Sequence, residues 1–386
     1  MSSITNVSTF LAKLEELKSY HNIFFRGHSN KDYVLEPGIY RRDQVKKKSL
    51  IEFEDKIYRS IISKAPQDFI GKNTLESLAL MQHYEAPTRI LDLTENALVA
   101  LYFACLGNYD CDGEVIVFDI PDDSTCNYDS DRVTILSNIA KCGKEFSYNS
   151  GSNKFQKGRI SFLESKKVLL KQFEELHSFD IEILSFLLEN SKRIIEKYED
   201  EIFKDLFDST LKKFIEEYEI EKGKLSEIDL KHFKNFYIET IQNHHKDLIN
   251  EEILKINKTF FGKLLHNIRE DKSYFDGIID PFDVAKVFAV KPKLNNPRIV
   301  KQSGAFLIFG IQEEYFFQSK EPKPMAILEK KWILRGDTSE RIIICRNSKD
   351  RILKELKILG FDQSTLFPEV DKVSHFVKSY FIERLK

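Results

Sequence analysis

The chain has 386 residues, of which 42% are hydrophobic, and its 59 Lys and Arg nearly balance its 61 Asp and Glu. That is enough apolar material for a sizeable core. It excludes both a disordered chain and a generally basic nucleic-acid binder, so any polyanion site must be a local patch. No stretch reaches the roughly 20 apolar residues of a spanning helix, and the opening MSSITNVSTFLAKLEELKSY lacks a basic start followed by an apolar run, so a cytoplasmic protein is expected.

In chain order, IFFRGHSN reads as a short strand ending at Arg26, with a turn beginning at Gly27. The segment Leu50 to Ala65 is an amphipathic helix, and ENALVALYFACL is an apolar helix with Thr94 as its expected N-cap and Glu95 in the first turn. EVIVFDI, AFLIFGI and RIIICR are β-branched and aromatic runs bounded by Gly, Pro, Asp or Asn, which are strand signals. All ten prolines lie outside the span Asp122 to Asp280, whose Lys, Glu, Leu, Ile and Phe content reads as helical. Within it, apolar stripes recur at steps of three or four at Ile181, Leu184 and Leu188, at Leu211, Phe214, Ile215 and Tyr218, and at Leu230, Phe233, Tyr237, Ile241, His244 and Leu248. The expected architecture is α+β: a discontinuous domain of residues 1–120 and 281–386, interrupted by a helical insertion at 121–280. Five cysteines without a C-x-x-C pair read as reduced thiols.

Four stretches resemble the FRG domain of bacterial proteins, named for the tripeptide that stands here as Phe25, Arg26 and Gly27. The first pairs that tripeptide with Pro37 and Arg41. The second, MQHYEAPTRILDLTENALVALYFA, matches the domain's block at Gln82, His83, Pro87, Thr88, Arg89, Leu91, Asp92, Thr94 and the Ala100 to Ala104 run, with Glu85 in place of the usual Gly and Leu93 in place of the usual Trp. The third carries Pro297, Arg298, Ile299, Gln302, Gly304 and Phe306, and the fourth ends in LFPEVD.

The resemblance implies a distant similarity to ADP-ribosyltransferases, with a split β core that binds NAD between two small sheets. By that analogy Arg26, Thr94 and Gln302 hold the catalytic stations, and Arg26, Gly27, His28, Tyr84, Arg89, Asp92 and Tyr102 meet NAD, which is a substrate here. The chemistry suits such residues. A guanidinium clamps a pyrophosphate bidentately, a hydroxyl orients the ribose, and a further acceptor favours the cation left when nicotinamide departs. Gln302 is a poorer stabiliser of that cation than a carboxylate, and Glu36, Glu85 and Asp92 are the carboxylates near the motifs.

Structural roles stand beside these. Arg26 and Arg89 would serve equally to pair with Asp92 or cap carbonyls, Thr94 to cap a helix, Tyr102 to fill a core, and His28 to hold a turn. No metal site is expected, because His244 and His245 are adjacent and point about 100° apart on a helix. The run RRDQVKKK reads as RNA-binding or as a solvated charged segment. The implied function is an NAD-dependent ADP-ribosyltransferase toxin of anti-phage defence, acting on RNA in preference to protein and restrained by an antitoxin or a chaperone-held complex through the helical insertion. A non-catalytic nucleotide-binding or interaction domain and an NAD glycohydrolase are the alternatives.

Overall fold

The computed structural model describes residues 4–19, 21–148, 250, 253–313, 322–334 and 341–385. The chain divides into two compact units, Met1–Ser147 with Phe261–Lys386, and Tyr148–Phe260. In the second unit the description covers Tyr148, residue 250 and a helical stretch at 253–260. The three apolar stripes between residues 181 and 248 lie outside the described residues. The first unit runs to 147 and resumes at 261, beyond 120 and 281, because the strand Thr125–Asn127 joins its sheet and the helices Asp131–Asn138 and Gly262–Asp271 pack on one another.

The fold is mixed α+β around one curled sheet. Its strands are β1 (Asn22–His28), β2 (Ile90–Thr94), β3 (Gly113–Ile120), β4 (Thr125–Asn127), β5 (Val287–Lys291), β6 (Gly304–Phe309), β7 (Ile333–Leu334) and β8 (Ile342–Ile344). The order is β4-β5-β6-β2-β1-β3-β7, with β8 also on β3. Every pairing is antiparallel except β4 with β5. β1 pairs with β3 along the whole of β1, from Asn22↔Ile120 to His28↔Glu114, and β2 pairs with β6 along the whole of β2, from Ile90↔Ile308 to Thr94↔Gly304. β1 and β2 meet only at Phe25↔Thr94. Two sheet halves are thus joined by one residue pair and leave a gap toward His28.

Alternation sends successive side chains to opposite faces. Phe24, Leu91, Leu93, Ile116 and Phe118 bury one face with Trp332, while Phe25, Val115 and Val117 bury the other under the helix Ala97–Cys105, joined by Phe10 and Leu356. Gly27 lies inside β1 and not in a turn, because the helix Ala97–Cys105 crosses directly behind it. A Cβ there would stand 2.0 Å from the Ala100 carbonyl oxygen and 2.6 Å from the Ala104 nitrogen. The cap of that helix is Asn96, whose Oδ1 accepts from the amides of Leu98 and Val99. Thr94 is the last residue of β2 and does not cap the helix.

Candidate functional site

Arg26 projects on the face opposite the helix Ala97–Cys105, beside the gap. Its Nη1 donates to the Asp92 carbonyl at 2.5 Å and its Nε to His28 Nε2 at 2.9 Å. Among the described residues it makes no ion pair with a carboxylate. Burial lowers the guanidinium pKa to about 10, with Asp92 opposing and Arg41 assisting, so Arg26 is still a cation at neutral pH.

His28 is 3% exposed. Since its Nε2 accepts from Arg26, the ring proton belongs on Nδ1, and Nδ1 has no partner. Burial first, then the charges of Arg26, Arg41 and Arg341, lower its pKa to about 3. The site therefore holds a fixed cation next to a buried neutral N–H donor, a pairing that suits an anion.

One consequence is measurable in the unliganded protein. An unfolded His28 takes up its proton near its ordinary value of about 6.5 and the folded one only near 3, so between these values the unfolded state holds more protons. The stability this contributes is whole above about pH 6.5 and is lost as pH falls toward 3. In His28→Gln the amide oxygen still accepts from Arg26, and the slope of unfolding free energy against pH between about 4 and 5 should fall by about 1.4 kcal/mol per pH unit. Urea titrations across that range read it, and an unchanged slope would mean that His28 is charged in the folded protein.

The loop after β1 reaches the segment that leads into β2. Ile39 donates its amide to the Thr88 carbonyl at 3.1 Å, and Arg41 Nε reaches the Glu36 carbonyl at 3.3 Å. Burial raises the pKa of the Glu36 carboxyl, against the pull of Arg41 and Arg42. Tyr33, 50% exposed, sets its ring edge-on to His28 with centroids 5.9 Å apart. On the same face a depression of about 240 Å³ is lined by Tyr33, Leu35, Glu114, Ile116, Arg341 and Ile342, with Glu114 paired to Arg341. Lys349, fully buried, fixes the end of β1 by donating to the carbonyls of Ser29, Gly107 and Asn108 at 2.6, 3.1 and 2.9 Å.

The residues expected from sequence are distributed unevenly. Arg26 and His28 meet at the gap, with Gly27 between them. Thr94 and Asp92 alternate onto the opposite face, and Asp92 reaches Arg26 through its backbone carbonyl. Thr94 and Gln302 do come together: the Thr94 hydroxyl donates to the Gln302 carbonyl at 2.6 Å and accepts from the Asn96 amide at 3.0 Å. The Gln302 side chain, however, donates its Nε2 to the Leu366 carbonyl at 2.9 Å, away from Arg26. Tyr102 is buried within its helix, where burial raises its hydroxyl to about 12, and Tyr84 stands 71% exposed beyond the helix Thr74–His83.

Arg89 lies wholly inside the protein. It donates Nε and Nη2 to the two Glu54 oxygens at 2.8 and 2.5 Å and Nη1 to the Phe309 carbonyl at 2.8 Å, while Lys323 adds 2.8 Å to the same Glu54. It is out of reach of a ligand in the gap.

Spacing along the chain places Arg41 in a charged run and gives it no role at the site, although the resemblance pairs it with the tripeptide and its charge acts on Arg26 and His28. Nor does spacing give a role to Arg298, which donates to the His83 carbonyl at 3.0 Å and covers the Phe367 ring at 4.7 Å. The Pro297–Arg298 motif is the available signal for that residue.

Among the described residues no helix is long and apolar enough to cross a membrane. Comparison with curated proteins and with solved structures gives no match. A family model does match: residues 21–112, which contain β1, β2, the helix Ala97–Cys105, and Arg26 with its partners His28 and Asp92, are similar to the FRG domain.

Proposed function

We propose that the gap between β1 and β2 binds the pyrophosphate of NAD and that the protein is an NAD-dependent ADP-ribosyltransferase acting on a macromolecule, RNA before protein. The observation that carries this reading is the guanidinium of Arg26, without a carboxylate partner, beside the unpartnered His28 Nδ1. Two sheet halves joined by a single pair support a split core of the ADP-ribosyltransferase kind. In the reaction the bond from ribose to nicotinamide breaks, nicotinamide leaves with the bonding electrons, an acceptor atom forms the new bond to the ribose carbon and its proton passes to solvent. Arg26 and His28 hold the phosphates through this exchange. Glu36, the carboxylate that shares the field of Arg41 with them, takes the part of favouring the ribose cation. An enzyme that consumes NAD needs restraint, and an antitoxin protein or a chaperone-held complex is the partner this implies.

Nucleotide binding without chemistry is the second reading. It is favoured by the commitment of the Gln302 amide to Leu366. NAD labelled on its adenylate separates the readings: label on RNA or protein means transfer, free ADP-ribose means hydrolysis with water as acceptor, and intact bound NAD means binding alone. Arg26→Ala should weaken NAD binding at least about 30-fold, corresponding to ~2 kcal/mol of lost charge-assisted hydrogen bonding, with the melting temperature nearly unchanged. A folded variant that binds NAD as tightly as the wild type would remove the gap from consideration.

A further inference from the structure

The basic run Arg41 to Lys48 is a defined loop and not a solvated tail. Every residue from 41 to 48 is exposed, yet its one acid is consumed internally. Asp43 Oδ1 accepts from the amides of Val45 and Lys46 at 3.0 and 2.7 Å, and the Asp43 backbone exchanges hydrogen bonds with Lys47 and Lys48 at 2.9 Å each. Those amide bonds hold the carboxylate below its usual range, so it stays an anion that serves the turn. Lys46, Lys47, Lys48 and Arg41 have no ion pair among the described residues. At the base of the loop, the charge of Arg41 is felt by Arg26, His28 and Glu36. Cationic groups therefore continue from the loop tip to the gap, and the half-exposed ring of Tyr33 stands at the gap's rim.

We infer that this loop is the docking strip for RNA, gripping the phosphodiester backbone so that the strand leads into the gap between β1 and β2. The inference rests on the nucleotide reading of that gap. A near-neutral protein with three adjacent exposed lysines, Lys46, Lys47 and Lys48, gains affinity for a polyanion at that spot and by counterion release, and an exposed aromatic ring beside phosphate donors is the companion feature of single-strand binding. An acidic protein surface would use the charges but not the continuity with a phosphate-type site or the stacking face.

The test is fluorescence anisotropy of a labelled single-stranded RNA oligonucleotide on the full chain at about 50 and about 200 mM salt. The triple variant K46E/K47E/K48E should bind at least about tenfold more weakly, and its log–log salt slope should be shallower by about 2, which is three single-strand phosphate contacts at roughly 0.7 each. NAD binding by the same variant should match the wild type. Unchanged RNA affinity and slope would overturn the inference, as would a wild type that prefers a polyglutamate peptide to RNA. RNA binding through the loop in a protein that fails to bind NAD would keep the docking strip and sink the nucleotide reading, whereas NAD binding with no RNA binding would do the reverse.

Discussion

Glu54→Ala should lower the free energy of unfolding by about 3 to 5 kcal/mol, the range expected when one partner of a buried ion pair is removed. Glu54 is 3% exposed, while the Arg89 and Lys323 that pair with it are 0% and 1% exposed. Burial would push its proton affinity up, but the two cations outweigh that and hold the carboxyl below its ordinary range. Without Glu54 two buried cations face each other with the neutral Phe309 and Ile139 carbonyls and the Tyr40 hydroxyl to receive them. Glu54→Gln keeps the volume and an acceptor but loses the charge, and should fall between wild type and Ala. Urea denaturation monitored by circular dichroism measures this. A loss below about 1 kcal/mol for Glu54→Ala would mean that the three groups are hydrated and not sequestered.

The second large effect belongs to the tripeptide itself. Gly27→Ala should cost on the order of 3 kcal/mol or more, because its Cβ would collide with backbone atoms, the Ala100 carbonyl oxygen at 2.0 Å and the Ala104 nitrogen at 2.6 Å. No rotamer relieves a clash with main chain. The helix Ala97–Cys105 would have to move off the sheet, taking Tyr102 and the packing around Phe10 with it. Gly71→Ala is the contrasting case: Gly71 has φ 72° with open space around it, so its cost is the left-handed backbone alone, about 1 kcal/mol. Thermal melts of both variants provide the comparison, and a Gly27→Ala protein that melts with the wild type would contradict the described distance between helix and sheet.

How much of this is legible in the sequence depends on how many physical causes a residue pattern admits. β3, β6 and β8 are plain because a continuous run of Val, Ile and Phe bounded by turn residues has few uses besides a buried strand. β4 and β7 are two or three residues long and carry no period. Gly27 reads as a turn in the sequence because the lack of a Cβ serves a reversal and a close approach alike, and only the crossing helix separates them. Thr94 and Asn96 are both good caps two residues apart, and the continuation of β2 through Thr94 decides for Asn96. Glu85, standing where the resemblance has Gly, adopts φ 65°, which accounts for the glycine preference at that place. In the site, Arg26 is visible through its motif, but the free Nδ1 of His28 emerges only in the fold, where the ring is closed in and the charges of Arg26, Arg41 and Arg341 act on it. Arg89 looks like a ligand-binding residue for the same reason it is a core residue: a charge in an apolar block must have a partner, and Glu54, thirty-five positions earlier, is not identifiable as that partner from spacing.

The single pair Phe25↔Thr94 also has a mechanical meaning. A full ladder would make the two sheet halves one stiff plate, whereas a lone pair behaves as a pivot whose opening angle is set by the contacts further along. Of those, the bond from Arg26 to the Asp92 carbonyl crosses the mouth directly and also belongs to the group that would meet a phosphate. In the proposed site a phosphate oxygen bound through Nη1 would compete with the Asp92 carbonyl for that nitrogen, so that occupancy and aperture would become linked quantities. Whatever tightens the latch should weaken the ligand, and whatever binds the ligand should loosen the latch by the same free energy.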